Sequence, residues 1–485
     1  MFNRYHKLIT YYLSIFVIMI GIIQLLPLLV IPFYPEEIGY APCFIIPGVG
    51  AIFIGYLVSY FFRGTEILKL EKHYDSVLVV SVWILAIFIS TFPWMLKGDY
   101  NFTQASFEMT SGFSTTGLSV VDVGNTPHIF LMFRSITLFV GGVGLVLILT
   151  CAFSDKYGLN LYNAEGHNDR LMPNLAKSAR LILSIYSSYI LFGTVSYIIL
   201  GMPVFDAINT SIAALSTGGF SVINESIYGY HSLGVEIITM ILMLLGQTNF
   251  LLHLSMIKRK FSNIWNHSET KFILALIIIF IPFMVVNLLT TGYTNSFWES
   301  LRVSAFQFVT TITTTGFVSV ENMAILPSGF ITVMILMMLV GGDLESTGGG
   351  IKQYRVIVTL KGIYRNIKNT ILNSRTVTTD YITRAGKKYQ LSQDEVASTS
   401  SYVLFYVILF LMGSLIFTMY GYSLQDSMFE FSSAISTVGL SVGITNYYAS
   451  PVILWTAIVG MFLGRLEIMV VFEALLRVVK DVRGR

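Results

Sequence analysis

The chain has 485 residues, of which 54% are hydrophobic and only 12% charged, with a formal net charge of +3. Soluble domains carry about 25% charged residues, and a large soluble core cannot close that gap, because its surface must still be covered by polar groups. The composition therefore excludes an ordinary soluble fold. The basic residues are scattered over many loops, which excludes a nucleic-acid-binding domain.

The first apolar run, residues 10–33, is too long for a signal-peptide core and is followed by no small-residue cleavage site, so it reads as a retained membrane helix. With residues 43–62 it forms a two-helix extension over 1–74. Further runs at 77–92, 129–153, 181–201, 235–257, 272–289, 402–420 and 452–478 approach or reach the ~20 residues needed to cross a bilayer. A shorter one, 330–342, brings the expected crossings to ten. With the N-terminus inside, the inward segments hold 26 of the 30 Lys and Arg residues, a strong positive-inside bias that places both termini in the cytoplasm. Cys43 and Cys151 fall in or beside apolar runs and suggest neither a disulfide framework nor a metal site.

Beyond residue 75 the chain repeats itself, which is the first thing to seek in a long sequence. "FSTTGLSVV" at 113–121 is followed by "LSTGGFSVI" at 215–223, "ITTTGFVSV" at 312–320 and "ISTVGLSVG" at 435–443. The aligned glycines are Gly117, Gly219, Gly316 and Gly439, which divides the chain into units at 75–157, 158–268, 269–395 and 396–485. Each copy is preceded by an apolar run and a short amphipathic segment, and followed by a polar outer loop and another apolar run. The spacing predicts a re-entrant helix and an extended strand in every unit, with Asp206, Glu299 and Asp426 near helix N-termini, where a carboxylate opposes the positive dipole end. The third of these helices should be one turn longer. Ser/Thr-Gly clusters also help membrane helices to pack, but four copies with matched flanks call for more. Backbone that leaves a helix inside a membrane must line water or be buried in protein. Four such strands about one axis would present rings of carbonyls able to replace the hydration shell of a cation. The candidate filter residues are Ser114, Thr115, Thr116 and Gly117; Ser216, Thr217, Gly218 and Gly219; Thr313, Thr314, Thr315 and Gly316; and Ser436, Thr437, Val438 and Gly439.

In the third unit the post-filter run breaks at "GGDLESTGGG", residues 341–350. Five glycines in ten residues do not sit as lipid-facing helix, so this stretch reads as a protein-buried loop below the filter, a gate or constriction containing Asp343, Glu345, Gly348, Gly349 and Gly350. Its "STGGGIK" lacks the Walker spacing of a phosphate loop. In the fourth unit Arg465 and Glu467 interrupt an apolar run, and intramembrane charges usually face a cavity or a partner. Arg465 could anchor the loop through Glu345, Asp343 or backbone carbonyls. Asn249 and His253 read as helix-packing hydrogen-bonders rather than ligands, "GGVG" at 141–144 as helix packing, and Arg134 as support between repeats.

The four filter copies, "STGGGIK" at 346–352, "GRLEI" at 464–468 and "LYNAEG" at 161–166 together resemble the TrkH/KtrB family of bacterial potassium-uptake proteins over nearly the whole chain. The two extra N-terminal helices look like the TrkH branch. The resemblance implies an all-α polytopic membrane protein, four pseudo-symmetric helix–pore loop–helix units around one pore. It implies K+ at the filter (Thr116, Gly218, Thr315, Val438), no organic cofactor in this chain, a homodimer in the plasma membrane and a cytoplasmic TrkA/KtrA-like RCK ring carrying the regulatory nucleotide. It matches Gly348–Gly350 to a gating loop and Arg465 to an arginine that contacts it. In related plant transporters a serine at the first filter position accompanies sodium preference; four glycines here favour potassium. One departure stands out: Glu345 occupies a position where the family commonly has glycine. Basic stretches at 154–180 and 352–398 offer docking surfaces for the ring or for anionic lipid. An ion-coupled symporter or Na+-permeable channel of the same fold remains the alternative reading, and no nucleophile–base pair suggests an enzyme.

Overall fold

The computed structural model describes residues 4–63, 74–144, 175–371 and 379–483. Cys151, the "LYNAEG" motif and the 157/158 boundary lie outside them. The helices are α1 (Arg4–Leu25), α2 (Ala41–Phe61), α3 (Tyr74–Ser90), α4 (Phe92–Lys97), α5 (Phe102–Phe113), α6 (His128–Val143), α7 (Leu175–Ile199), α8 (Val204–Leu215), α9 (Leu233–Gln247), α10 (Phe250–Ile257), α11 (Phe261–Trp265), α12 (Ser268–Thr290), α13 (Phe297–Ile312), α14 (Ser328–Val340), α15 (Gln353–Ile371), α16 (Gln393–Met419), α17 (Leu424–Ile435), α18 (Pro451–Arg465) and α19 (Ile468–Val482). A single hairpin, β1 (Tyr381–Arg384) and β2 (Lys387–Gln390), interrupts the helical pattern among the described residues. The fold is that of a polytopic α-helical membrane protein; among the described residues six helices are long and apolar enough to cross a bilayer, seven if the bent pair α9–α10 counts as one span.

The four helices that follow the filter segments depart from straight spans. The sequence reads 235–257 and 452–478 as continuous, and the structure corrects both. α9 and α10 meet at 109°, and α18 ends at Arg465 before α19 restarts at Ile468. Polar residues sit at each break. Thr248 is extended and Asn249 caps α10 through the Leu251 N–H; Glu467 takes φ 60. α14 stops at Val340, with Gly341 at φ 72, and α6 at Val143. The breaks after α9, α14 and α18 all fall on the side of the ring segments where residues 341–350 lie, so the space there is walled by broken helices rather than by a straight bundle.

Short helices α5, α8, α13 and α17 occupy the middle of the fold. α13 has 16 residues where the other three have 12, the extra turn expected from its sequence. Asn101 and Gln104 make a reciprocal capping box on α5, and Ser423 caps α17. Asp206, Glu299 and Asp426 lie in the first turns of α8, α13 and α17. Asn101 and Ser423 satisfy free N–H donors and the three carboxylates complement the dipole, and the C-terminal end of each helix leads into its ring segment. The last turns are pressed close to the post-filter helices: a Cβ on Gly141, Gly246 or Gly464 would lie 1.9, 2.3 or 1.8 Å from the carbonyl oxygen of Phe113, Leu215 or Ile435. The "GGVG" motif thus does packing work. The N-terminal pair is clipped to the first unit from outside: the Glu37 carboxylate accepts the His128 and Ile129 N–H groups at 2.7 and 2.9 Å, capping α6, and Tyr34 stacks on His128.

Candidate functional site: a backbone ring and the loop beneath it

The four candidate filter segments share nearly one backbone conformation. Each helix ends in a Ser or Thr at φ −74, −72, −80 and −90 (Ser114, Ser216, Thr313, Ser436), followed by a threonine in the left-handed region: Thr115 at φ 54, Thr217 at 52, Thr314 at 54 and Thr437 at 52. A β-branched residue there is a genuine outlier, costing about 1–2 kcal/mol, and the same strain recurs four times where the chain must turn from helix to strand. Hydrogen bonds offset it. The N–H groups of Thr116, Gly218, Thr315 and Val438 donate to the carbonyls of Ser111, Ala213, Thr310 and Ser433 at 2.8–2.9 Å. The next N–H, on Gly117, Gly316 and Gly439, donates to the hydroxyl of Ser111, Thr310 and Ser433 at 3.0, 3.1 and 3.0 Å. In the second unit that hydroxyl is missing, because the residue is Ala213, and Gly219 N–H turns to the Ala213 carbonyl at 3.4 Å.

The glycines close the ring. A Cβ on Gly117 would lie 2.3 Å from the Gly218 oxygen, one on Gly219 2.1 Å from the Thr315 oxygen, one on Gly316 2.0 Å from the Val438 oxygen, and one on Gly439 2.2 Å from the Thr116 oxygen. Each glycine thus faces the carbonyl that precedes the glycine of the next unit, and the fourth returns to the first. The strands meet backbone to backbone, at positive φ in all four, and no other residue type fits.

The outer strands are braced from behind by Arg134, read from the sequence as support between repeats, and by Glu108, Gln307 and Glu430, which the sequence reading did not single out. Glu108 accepts from Arg134 Nε at 2.7 Å, from Ser119 Oγ and from the Val120 N–H; Arg134 also donates to the Ser221 carbonyl of the second unit at 3.1 Å. Glu430 accepts from Ser441 Oγ and the N–H groups of Val442 and Thr445. Gln307 reaches Ser319. Glu108, Gln307 and Glu430 each stand nine residues before their filter glycine, and that shared spacing of polar residues in apolar helices was the available signal. At the exposed outer mouth Asn125 donates to Asp122 at 2.7 Å and holds its carboxyl below the usual carboxylate range.

Residues 341–350 lie directly under the ring. Gly349 N–H donates to Thr314 Oγ1 at 2.6 Å, Thr217 Oγ1 bonds Thr347 Oγ1 at 3.1 Å, and a Cβ on Gly349 would lie 2.1 Å from Thr437 Oγ1. Three of the four left-handed threonines therefore touch this loop. Arg465 donates to the Thr347 carbonyl at 2.7 Å and to the carbonyls of Gly141 and Gly142. Of the partners considered for Arg465, backbone carbonyls are observed. The acids go elsewhere: Glu345 lies 3.8 Å from Arg384 of the hairpin, and Asp343 accepts from the Asn249 N–H. Asn249 itself donates to the Leu344 carbonyl at 2.7 Å, so it is an anchor of the loop as well as a helix cap. Lys352 was also missed. Its ammonium donates to the Gly348 carbonyl, beside a small cavity of 50 Å³ lined by the three glycines, Arg465 and Glu467. The Lys352 amine and the Arg465 guanidinium thus both stand on the loop side of the ring.

His267, Glu269 and Asp343 gather in one buried cluster. The Ala385 N–H donates to His267 Nδ1 at 3.2 Å, so Nε2 carries the proton and donates to Glu269 at 2.6 Å. That tautomer leaves the imidazole no lone pair for a metal, and the cluster is a hydrogen-bond relay.

Fourfold repetition, a backbone ring and a glycine loop below it are the features on which known proteins can be compared. Residues 48–480 match the family model for TrkH, described as a cation transport protein. The chain belongs to the TrkH family. An uncharacterized cation transporter of Methanocaldococcus jannaschii is 29% identical over 93% of this chain and 91% of its own. The Trk system potassium uptake protein TrkG of Escherichia coli K12 is 29% identical over 95% and 96%, and the Trk system potassium uptake protein TrkH of Vibrio parahaemolyticus 27% identical over 82% and 84%. The crystal structure of the potassium transporter TrkH from Vibrio parahaemolyticus superposes with a TM-score of 0.84, at 23% identity, over 98% of both chains. The likeness of fold therefore spans the whole TrkH-like architecture, N-terminal pair included.

Proposed function

We propose that this chain is the potassium-conducting subunit of a Trk-type uptake system. K+ would pass down its electrochemical gradient through the ring at Gly117, Gly219, Gly316 and Gly439, with the carbonyls of Thr116, Gly218, Thr315 and Val438 as ligands. The closed glycine-to-carbonyl ring is the observation that carries this reading, because carbonyls gathered by backbone contact alone suit a dehydrated cation. The relatives named as potassium uptake proteins support the choice of ion.

The loop at 341–350 is the barrier in this reading. It sits against the base of the ring, held by Arg465, Asn249 and the filter threonines, and the ammonium of Lys352 and guanidinium of Arg465 oppose a cation there. The chain is a transporter rather than an enzyme, in the plasma membrane with both termini inside, as its basic inward segments support. A homodimer and a cytoplasmic nucleotide-binding RCK ring are its expected partners.

Expression in a bacterium lacking potassium uptake is the test. The chain should restore growth at low K+, and Gly316→Ser should lose K+ over Na+ preference. No rescue by the unaltered chain refutes the proposal. Deletion of 345–350 should raise flux in folded protein; flux that stays level or falls refutes the loop as a barrier.

A further inference from the structure

Glu345 is held in the left-handed region at φ 57. An L side chain pays for that conformation and glycine does not. Observed strain of this kind asks for a compensating contact, and the carboxylate has one: it points out of the loop toward Arg384, 3.8 Å away, with side-chain exposures of 5% and 18%. Solvent screens so sheltered a pair far less than one on the surface.

Arg384 ends β1 of the cytoplasmic hairpin. Its register pairs Arg384 with Lys387 across a two-residue turn, Ala385-Gly386, with φ 44 and 84, the geometry of a type I′ turn. Such a turn is stiff, and both of its sides are engaged. Ile382 and Leu391 pack on Ile357 and Val358 of α15, the helix that leaves the loop. Thr383 N–H donates to Ser268 Oγ at 2.9 Å. From Ala385 the relay runs through His267 and Glu269, whose other oxygen accepts the Leu344 N–H at 2.8 Å. β2 is exposed at every residue.

We propose that this hairpin is a latch on the first arm of the intramembrane loop: Arg384 grips Glu345, and Ala385 grips Leu344 through His267 and Glu269, so that displacing the hairpin loosens residues 342–346 beneath the ring. The two grips fall on consecutive loop residues from one tight turn, which makes the hairpin and the loop's first arm a single rigid piece. The second arm, Thr347 to Gly350, is held by the filter and Arg465, so the two arms are controlled from opposite ends. The inference rests on reading the loop as the barrier, but its first measurement does not.

The full-length chain in phosphatidylethanolamine–phosphatidylglycerol vesicles is assayed for amide hydrogen exchange and K+ flux, as Arg384→Gln, Glu345→Gly and Arg384→Lys variants. Glu345→Gly removes the same grip while relieving the backbone, so it folds at least as readily. Exchange across 342–346 should rise at least fivefold in the Gln and Gly variants, with amides of 347–350 and of the ring segments unchanged. K+ flux should rise severalfold, and Arg384→Lys should stay near the unaltered chain in both. Unchanged exchange at 342–346 in both neutral variants overturns the latch. Raised exchange without raised flux, in a chain that conducts K+, overturns its link to the barrier. A chain that carries no K+ at all sinks the functional proposal, while the exchange result still decides the latch.

Discussion

Replacing Gly316 by alanine puts the ring to its most direct test. The new Cβ would lie 2.0 Å from the Val438 oxygen, against 3.4 Å or more in ordinary contact, so the fourth strand must retreat by more than an ångström. Alanine at φ 91 also pays about 1–2 kcal/mol in backbone strain. The retreat pulls on the Val438 and Gly439 N–H bonds to Ser433, now 2.8 and 3.0 Å, each worth about 1 kcal/mol. Together these come to roughly 3–4 kcal/mol, and since each 1.4 kcal/mol is a factor of ten, K+ flux per folded molecule should fall by ~10²-fold. Gly421 supplies the control. It has φ 92 and nothing within 4 Å of its added Cβ, so Gly421→Ala carries the strain without the collision. The assay is K+ uptake into vesicles, normalised to monodisperse protein on size-exclusion chromatography. Gly316→Ala that conducts like Gly421→Ala would refute the idea that backbone contact between units sets the filter.

Three further outcomes follow from the same geometry. Arg134→Met leaves Glu108 buried without its cation, and breaking such a pair costs about 3–5 kcal/mol; the melting temperature in detergent should drop sharply, whereas Glu430→Gln, which keeps its Ser441 and Thr445 neighbours, should lose far less. Arg465→Met removes a charged donor from the Thr347, Gly141 and Gly142 carbonyls, and at about 1.5–3 kcal/mol for a charge-assisted bond K+ flux should rise by tenfold or more; a fall in flux with intact protein would contradict its role as a clamp. Asn249→Ala loses the bond to Leu344 and the α10 cap, about 1–2 kcal/mol in all, and should raise flux by a few-fold, readable in the same vesicles.

Much of this was legible in the chain because repetition turns weak signals into strong ones. One "TTTG" is ambiguous, while four with matched flanks predicted the short helices, the acids in their first turns and the longer third copy. The glycine-rich loop stood out because no other run of the chain breaks an apolar helix so openly. The helix breaks at Thr248 and Leu466 were hidden, since one or two polar residues inside an apolar run look the same in a kinked span and a straight one. The partners of Arg465 were open because they are backbone atoms, which carry no sequence signal. The hairpin escaped because ten mixed residues, YITRAGKKYQ, in a basic insert show too little alternation to suggest strands, and its value lies in contacts with residues far away in the sequence, from Val358 to His267.

The missing hydroxyl at Ala213 has a consequence of its own. In a channel assembled from four identical subunits, any substitution strikes every quadrant together, and a marginal change becomes a fourfold one. Here the four quadrants are written separately along one polypeptide, so each can drift by itself. The second quadrant has given up its side-chain brace and kept its shape through a main-chain bond; the third has gained a turn of helix and the glycine loop below it. A chain of this design can differ at one corner of its ring without differing at the others, an asymmetry that four identical subunits could not hold.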